Sequence, residues 1–386
     1  MAEDERAYRR QRRAYTTLYP AAKALMKGML NYSFTLGPKI DGPCLILSNH
    51  VTDFDPVLVG LSFPEHMYYV AGENVMRMGF LSKIVARYAS VIQRVKGTTD
   101  AEAALQILRT LRKGRNVCMF AEGSRTFTGE TLPIAPATAK LVKMARSTLV
   151  TYRLTGGYLT TPRWSPRRRK GRMMGAPVGV YPPEELKQMS EGEIAALLAR
   201  DLYENAYETQ AKEPVAYRGK ALAETLETAL YLCPKCHRID TLHSRGDRFS
   251  CDCGLTMTLD EYGFFQGEDL PFKTPLDWDR WQTGEMEQLA ESLGDEAAFS
   301  DEEQTLNRKE DDHSLTPLCT GTMALYRDRL TIGERSFPLK ELRGIGLIQR
   351  QGMVFSTADG DFAVTANKLR CVRKYHTLFE FLKRNN

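Results

Sequence analysis

Cys44-Leu-Ile-Leu-Ser-Asn-His50-Val-Thr-Asp-Phe-Asp55-Pro56 is the stretch that decides how the first part of this chain folds. Four apolar residues in a row read as a short strand buried on both faces. The polar run that follows breaks it, and Pro56 suits the first turn of a helix. A strand that gives way to a turn and a helix sets its last side chains at the rim of an α/β sheet, where such folds hold ligands. His50 and Asp55 are five residues apart, so they do not share a helical face in the ordinary i,i+4 sense. A turn between strand and helix brings them together. A carboxylate fixing one imidazole nitrogen leaves the other free to accept a proton. Asp53 is a rival partner for His50, and an N-cap is the plain alternative for Asp55.

Outward from this stretch the pattern repeats. Met67 to Ala71, Ser90 to Val95 and Asn116 to Ala121 read as buried strands. Thr99 to Lys113 carries Leu105, Leu108 and Leu111 on one helical face, and Gly114 offers a stop. Ala137 to Arg146 is a further helix, and Ser190 with Glu193 has capping-box spacing. Strand–helix alternation predicts an α/β domain with a central, mainly parallel sheet over residues 37–229. Residues 1–36 read as a basic lead-in and an amphipathic stretch, Tyr19 to Leu36, suited to a lipid interface or to packing on the domain. Residues 230–265 hold a cysteine cluster. Residues 266–314 are acidic, with 17 Asp/Glu against 4 Lys/Arg from Asp260 to His313, and read as a helix around Trp278 to Leu293 followed by a linker. Residues 315–386 form a β-rich module: strands at Met323 to Tyr326, Leu330 to Ile332, Val354 to Ser356 and Phe362 to Thr365, then a helix from Leu369 to Lys383. Strands closed by a terminal helix resemble a pleckstrin-homology-like module.

The second chemical element follows the strand Asn116 to Ala121. In Glu122-Gly123-Ser124-Arg125, the glycine permits a tight turn and the arginine presents a planar fork suited to phosphate oxygens. Glu122 is placed to hold either that fork or a backbone amide. Taken in order, Asn49-His50-x4-Asp55, then Arg94 closing Val91-Ile92-Gln93-Arg94, then Phe120-Ala121-Glu122-Gly123-Ser124-Arg125 resemble the glycerolipid acyltransferase family, which includes the lysophosphatidate acyltransferases. The resemblance runs from about residue 20 to residue 210. Ala121 and Ser124 stand where the family has proline and threonine, and the family's fourth motif is poorly matched by Thr148 to Leu154.

The resemblance implies His50 as general base and Asp55 as its orienting carboxylate. It implies Asn49, Arg94, Glu122, Gly123, Ser124 and Arg125 as substrate-binding residues. The implied donor is acyl-CoA or acyl carrier protein, and the implied acceptor is a lysophospholipid such as 1-acylglycerol-3-phosphate, with no organic cofactor. No nucleophile elbow surrounds Ser124, so direct attack on the thioester is expected.

Cys233-Pro-Lys-Cys236 and Cys251-Asp-Cys253 resemble a zinc ribbon holding one structural Zn2+, with His237 or His243 as substitute ligands. Cys44 and Cys118 fit the core better than a reactive role. Residues up to Leu232 hold 33 Lys/Arg against 22 Asp/Glu, whereas the whole chain is only +5. The basic first part suggests anionic partners, an anionic membrane surface among them. No apolar run reaches the roughly 18–20 residues of a membrane span, and Met1 to Arg13 lacks the core of a signal peptide. The chain is therefore expected in the cytoplasm, peripheral on the inner face of the cell membrane. The alternative is a zinc-ribbon nucleic-acid-binding protein, drawing on the basic run Arg163 to Arg172 around Trp164. That reading leaves the ordered motifs unexplained, so no nucleic acid is expected.

Overall fold

The structure, a computed structural model, describes residues 2–72, 90–94, 100–310 and 314–385. The chain forms two units: residues 1–162 with 168–218, and residues 163–167 with 219–386.

The first unit is built on a seven-stranded sheet. Its strands are β1 (Tyr32–Phe34), β2 (Cys44–Ser48), β3 (Met67–Gly72), β4 (Ser90–Arg94), β5 (Asn116–Phe120), β6 (Thr148–Thr155) and β7 (Met173–Tyr181), in the order β1-β7-β6-β2-β5-β3-β4. All neighbours run parallel except β6 and β7. β2 lies between β5 and β6, and all five of its residues are buried, as its unbroken apolar run demands. One face of the sheet packs against the helix Asp100–Arg112 through Ile107, Leu108 and Leu111, and against Ile194, Leu197 and Leu198 of the helix Glu191–Leu202. Leu105, expected on the inner face, points outward; Ile107 takes its place. Ser190 and Glu193 form the capping box their spacing predicted. The other face packs against α1 (Ala2–Leu30) and α2 (Asp55–Leu61).

α1 corrects the reading of residues 1–36. The helix starts at Ala2 and ends at Leu30, because Asn31 takes a left-handed conformation (φ 49°) and its side chain accepts from Lys27 Nζ. Met26 and Leu30 are buried, and the Tyr15 and Tyr19 hydroxyls donate to the Gly60, Phe63 and Leu61 carbonyls at the end of α2. Leu18 and Leu25 remain exposed.

The second unit contains two antiparallel sheets. The smaller comprises β8 (Leu242–Arg245), β9 (Arg248–Cys251), β10 (Thr256–Leu259) and β11 (Phe265–Gln266). The larger runs β15-β14-β13-β12-β18-β17-β16: β12 (Phe299–Lys309), β13 (Leu315–Leu325), β14 (Arg329–Ile332), β15 (Arg335–Pro338), β16 (Ile345–Ile348), β17 (Gly352–Thr357) and β18 (Gly360–Ala366). The terminal helix Arg373–Asn385 buries Tyr375, Leu378, Phe379 and Leu382 in one core with Leu306, Met323 and Val364. Residues read as a linker after the helix Pro275–Ser292 instead form β12, which pairs with both β13 and β18. Phe299, Gln304, Leu306 and Asn307 of β12 are buried, while Glu302 and Glu303 face water, so the acidic composition conceals a central strand.

Candidate active site

β2 ends at Ser48 and the chain turns directly into α2, with Pro56 in its first turn. Asp55 opens the helix and is fully buried. Its Oδ2 accepts from His50 Nδ1 at 2.8 Å and from the Val51 N–H at 2.6 Å. Its Oδ1 accepts from the Thr52 hydroxyl at 2.6 Å, and the Thr52 N–H lies 3.0 Å from both oxygens. A carboxylate can be buried at modest cost only where donors surround it in this way. The His50 ring stacks on Phe120, centroids 4.6 Å apart, and keeps 22% of its side-chain surface exposed. With Nδ1 engaged by Asp55, Nε2 is the nitrogen available to accept a proton. Asp53 is not the partner of His50: it is exposed and sits 3.3 Å from Arg125 Nε.

Glu122 resolves toward the backbone. Its Oε1 accepts the His50 N–H and its Oε2 the Leu132 N–H, both at 2.6 Å, so it ties the histidine turn to the loop after β5. Gly123 carries a φ of +67°, which explains a glycine there, and its N–H returns to the Phe120 carbonyl. Asn49 is also buried, with Nδ2 donating to the Leu154 carbonyl and Oδ1 accepting the Leu154 N–H. Both ends of this amide are bonded to β6, so Asn49 braces the turn against that strand. Arg125 is mostly buried and Ser124 half-buried, beside this turn. Arg94 ends β4, but its side chain lies outside the described residues, as does Val95.

Burial pushes the Glu122 carboxyl up to about 8, against the pull of the two N–H donors. The folded chain then keeps a proton that the unfolded chain releases near the ordinary value of 4.5, so stability should fall as pH rises from there through about 8. Thermal midpoints measured across that window should slope downward in the wild type and more weakly in Glu122→Gln. Equal slopes would assign the pH dependence to another group.

The basic run Arg163 to Arg172 is only partly open: Arg167, Arg168 and Lys170 are exposed. Arg163 is buried, donating from Nε to the Gln349 carbonyl at 3.2 Å and from Nη2 to the Leu347 carbonyl at 3.1 Å. Trp164 and Arg169 are buried too. The Arg163 guanidinium is thus committed to backbone carbonyls within the fold.

The His50 turn, the Asp55 helix start and the Glu122–Arg125 turn all fall within residues 25–155, which match the family model described as Acyltransferase. Over those residues the chain is similar to the acyltransferase family. Among solved structures it is similar to the 1-acyl-sn-glycerophosphate (LPA) acyltransferase PlsC from Thermotoga maritima, at 15% identity and a TM-score of 0.39, over 49% of this chain and 78% of that one. The stretch matched to the acyltransferase domain closes at Thr155, the last residue of β6. Within it, Thr52, Phe120 and the Leu132 N–H are site members that sequence reasoning missed. A hydroxyl three residues before Asp55 was the one signal available for Thr52.

A second cluster lies in the other unit. The Sγ atoms of Cys233, Cys236, Cys251 and Cys253 all lie within 4.8 Å of one another, and none is in a disulfide. Cys233 and Cys253 are 3.7 Å apart, as are Cys236 and Cys251. Four thiolates about 2.3 Å from a tetrahedral ion stand about 3.8 Å from each other, so the geometry fits a metal ion. The histidines considered as substitutes are engaged elsewhere: His237 with Glu285 at 3.4 Å, His243 with Asp252 at 2.9 Å.

Proposed function

We propose that the acyltransferase domain moves a fatty acyl group from acyl-CoA or acyl carrier protein to the free hydroxyl of a lysophospholipid, 1-acylglycerol-3-phosphate above others, in phospholipid biosynthesis. The observation that carries this reading is Asp55, buried and bonded to His50 Nδ1. In this reaction His50 Nε2 takes the hydroxyl proton as the acceptor oxygen bonds to the thioester carbonyl carbon. The tetrahedral intermediate then breaks its C–S bond, and the imidazolium returns the proton to the leaving thiolate. No cysteine enters the reaction. Cys44 and Cys118 are buried, and burial pushes the Cys44 thiol up to about 12 and Cys118 higher still.

Arg125, with Arg94 as a second donor, is read as the clamp on the acceptor's phosphate. Arg125→Lys should therefore lower kcat/KM for phosphate-bearing acceptors by on the order of 10-fold, with a much smaller loss for an uncharged acceptor, because an ammonium cannot replace a two-pronged contact. Initial rates over a panel of acceptors with labelled donor test both parts. Equal losses for charged and uncharged acceptors would remove the clamp; no transfer to any acceptor by the wild type would remove the reading.

The four thiolates are read as the ligands of one structural Zn2+, with no open position for water or substrate. The β-rich module of residues 315–386, joined by β12, is read as pleckstrin-homology-like. Among the described residues no helix is long and apolar enough to cross a membrane. Exposed Leu18 and Leu25 on α1, whose residues 14–30 contain lysines but no acids, support peripheral attachment to an anionic membrane on its cytoplasmic face. The protein should sediment with anionic vesicles and release at high salt, and Leu18→Glu with Leu25→Glu should weaken that binding at least several-fold. Undiminished binding would move the contact to exposed Arg168 and Lys170.

A further inference from the structure

The two oxygens of Asp55 have different duties. Oδ2 meets His50 Nδ1 and the Val51 N–H, whereas Oδ1 meets the Thr52 hydroxyl. The Thr52 N–H spans both oxygens at 3.0 Å and so does not distinguish them. The Thr52 oxygen also accepts the Phe54 N–H at 3.0 Å, which orients its own proton toward Asp55. Thr52 is fully buried, so water cannot substitute for the bond if it is lost.

We propose that Thr52 is a positioning residue: its hydroxyl pins Oδ1, keeps Oδ2 on His50 Nδ1, and so fixes the Nδ1–H tautomer that presents Nε2 as the base. This rests on the general-base reading of His50. The geometry is a hydrogen-bond relay from the Phe54 amide through Thr52 and Asp55 to the imidazole, with each donor committed to one acceptor. Thr52 touches no reacting atom, so its effect belongs in the rate of the chemical step and not in acceptor binding.

Thr52→Val keeps the shape and removes the hydroxyl; Thr52→Ser keeps the hydroxyl and removes the methyl. Thr52→Val should lower kcat by on the order of 10- to 100-fold, since a hydrogen bond to a charged group is lost, while KM for the acceptor stays within about twofold. Thr52→Ser should restore most of the rate. Nitrogen-15 NMR of labelled histidine should show His50 as the Nδ1–H tautomer in the wild type and Thr52→Ser, and as a mixture in Thr52→Val. An unchanged kcat and tautomer in Thr52→Val would overturn the proposal, as would a Thr52→Ser variant as slow as the valine one. Should Thr52→Val not fold, Thr52→Ala takes its place in both measurements. If the wild type transfers no acyl group to any acceptor, the acyltransferase reading falls, yet the tautomer comparison still decides what Thr52 does.

Discussion

His50→Ala should reduce acyl transfer by on the order of 10²–10⁴-fold, the usual cost of removing a general base, and leave the fold intact. The side chain is partly exposed and, among the described residues, is held by the Asp55 pair and the Phe120 stack, so its loss opens no large cavity. Asp55→Asn should be nearly as damaging to the rate and more damaging to stability. The Val51 and Thr52 N–H groups and the Thr52 hydroxyl would face an amide, and each buried donor left unsatisfied costs about 1–3 kcal/mol. Asp53→Asn should cost little, because Asp53 is exposed and pairs with Arg125 across 3.3 Å. Rates and circular-dichroism melts of the three variants check the order. A rate for Asp53→Asn below that for Asp55→Asn would reverse the assignment of the carboxylate.

The second large effect should come from the four-cysteine cluster. On the proposed zinc reading, treatment with a chelator, or Cys236→Ser, should unfold far more than residues 230–265. Asp240 lies between the two cysteine pairs and holds Lys374, a side chain with no exposed surface on the terminal helix; Lys374 also reaches Asp301 of β12 at 3.0 Å. Beside it Arg373 pairs with Asp279 through Nη1 and Nη2, and Trp278 donates to the Leu232 carbonyl at 2.9 Å. Lys374 is fully buried, so losing Asp240 leaves its charge with Asp301 as partner and weakens the hold on the terminal helix. Loss of the ribbon should therefore carry residues 299–385 with it. Hydrogen exchange followed by mass spectrometry should show protection falling in both regions together, while acyl transfer by the surviving first unit persists. Loss confined to residues 230–265 would contradict the coupling.

These contrasts show what the sequence could reveal. The strand, turn and helix at Cys44–Leu61 were legible because the signals are local: an apolar run, a polar break and a proline. The His50–Asp55 pair followed from the same locality. The bracing role of Asn49 was not legible, and for Glu122 a backbone amide was one of two options, because the partners, Leu154 and Leu132, are set by strand order and loop path. β12 was hidden because it carries Asp301, Glu302 and Glu303, the last two facing water, and these argue against a strand when composition alone is weighed. Arg163 looked available for the opposite reason: the carbonyls that engage it lie more than 180 residues onward, at Leu347 and Gln349.

The path of the chain between its two units has a practical outcome for anyone wishing to take the protein apart. Residues 163–167 belong to the second unit although the first unit resumes at Arg168 and runs to Arg218. Trp164, buried there, has its carbonyl bonded by the Thr225 hydroxyl. No single cut separates the halves: ending the gene after residue 218 leaves a tryptophan-bearing loop stripped of its cover, and starting after it leaves a vacancy the size of an indole. On the ribosome the same loop must wait for residues beyond 219 to emerge before it can settle. The boundary between the units is therefore crossed more than once by the chain, and a truncation has to respect residues 163–167 as part of the second unit.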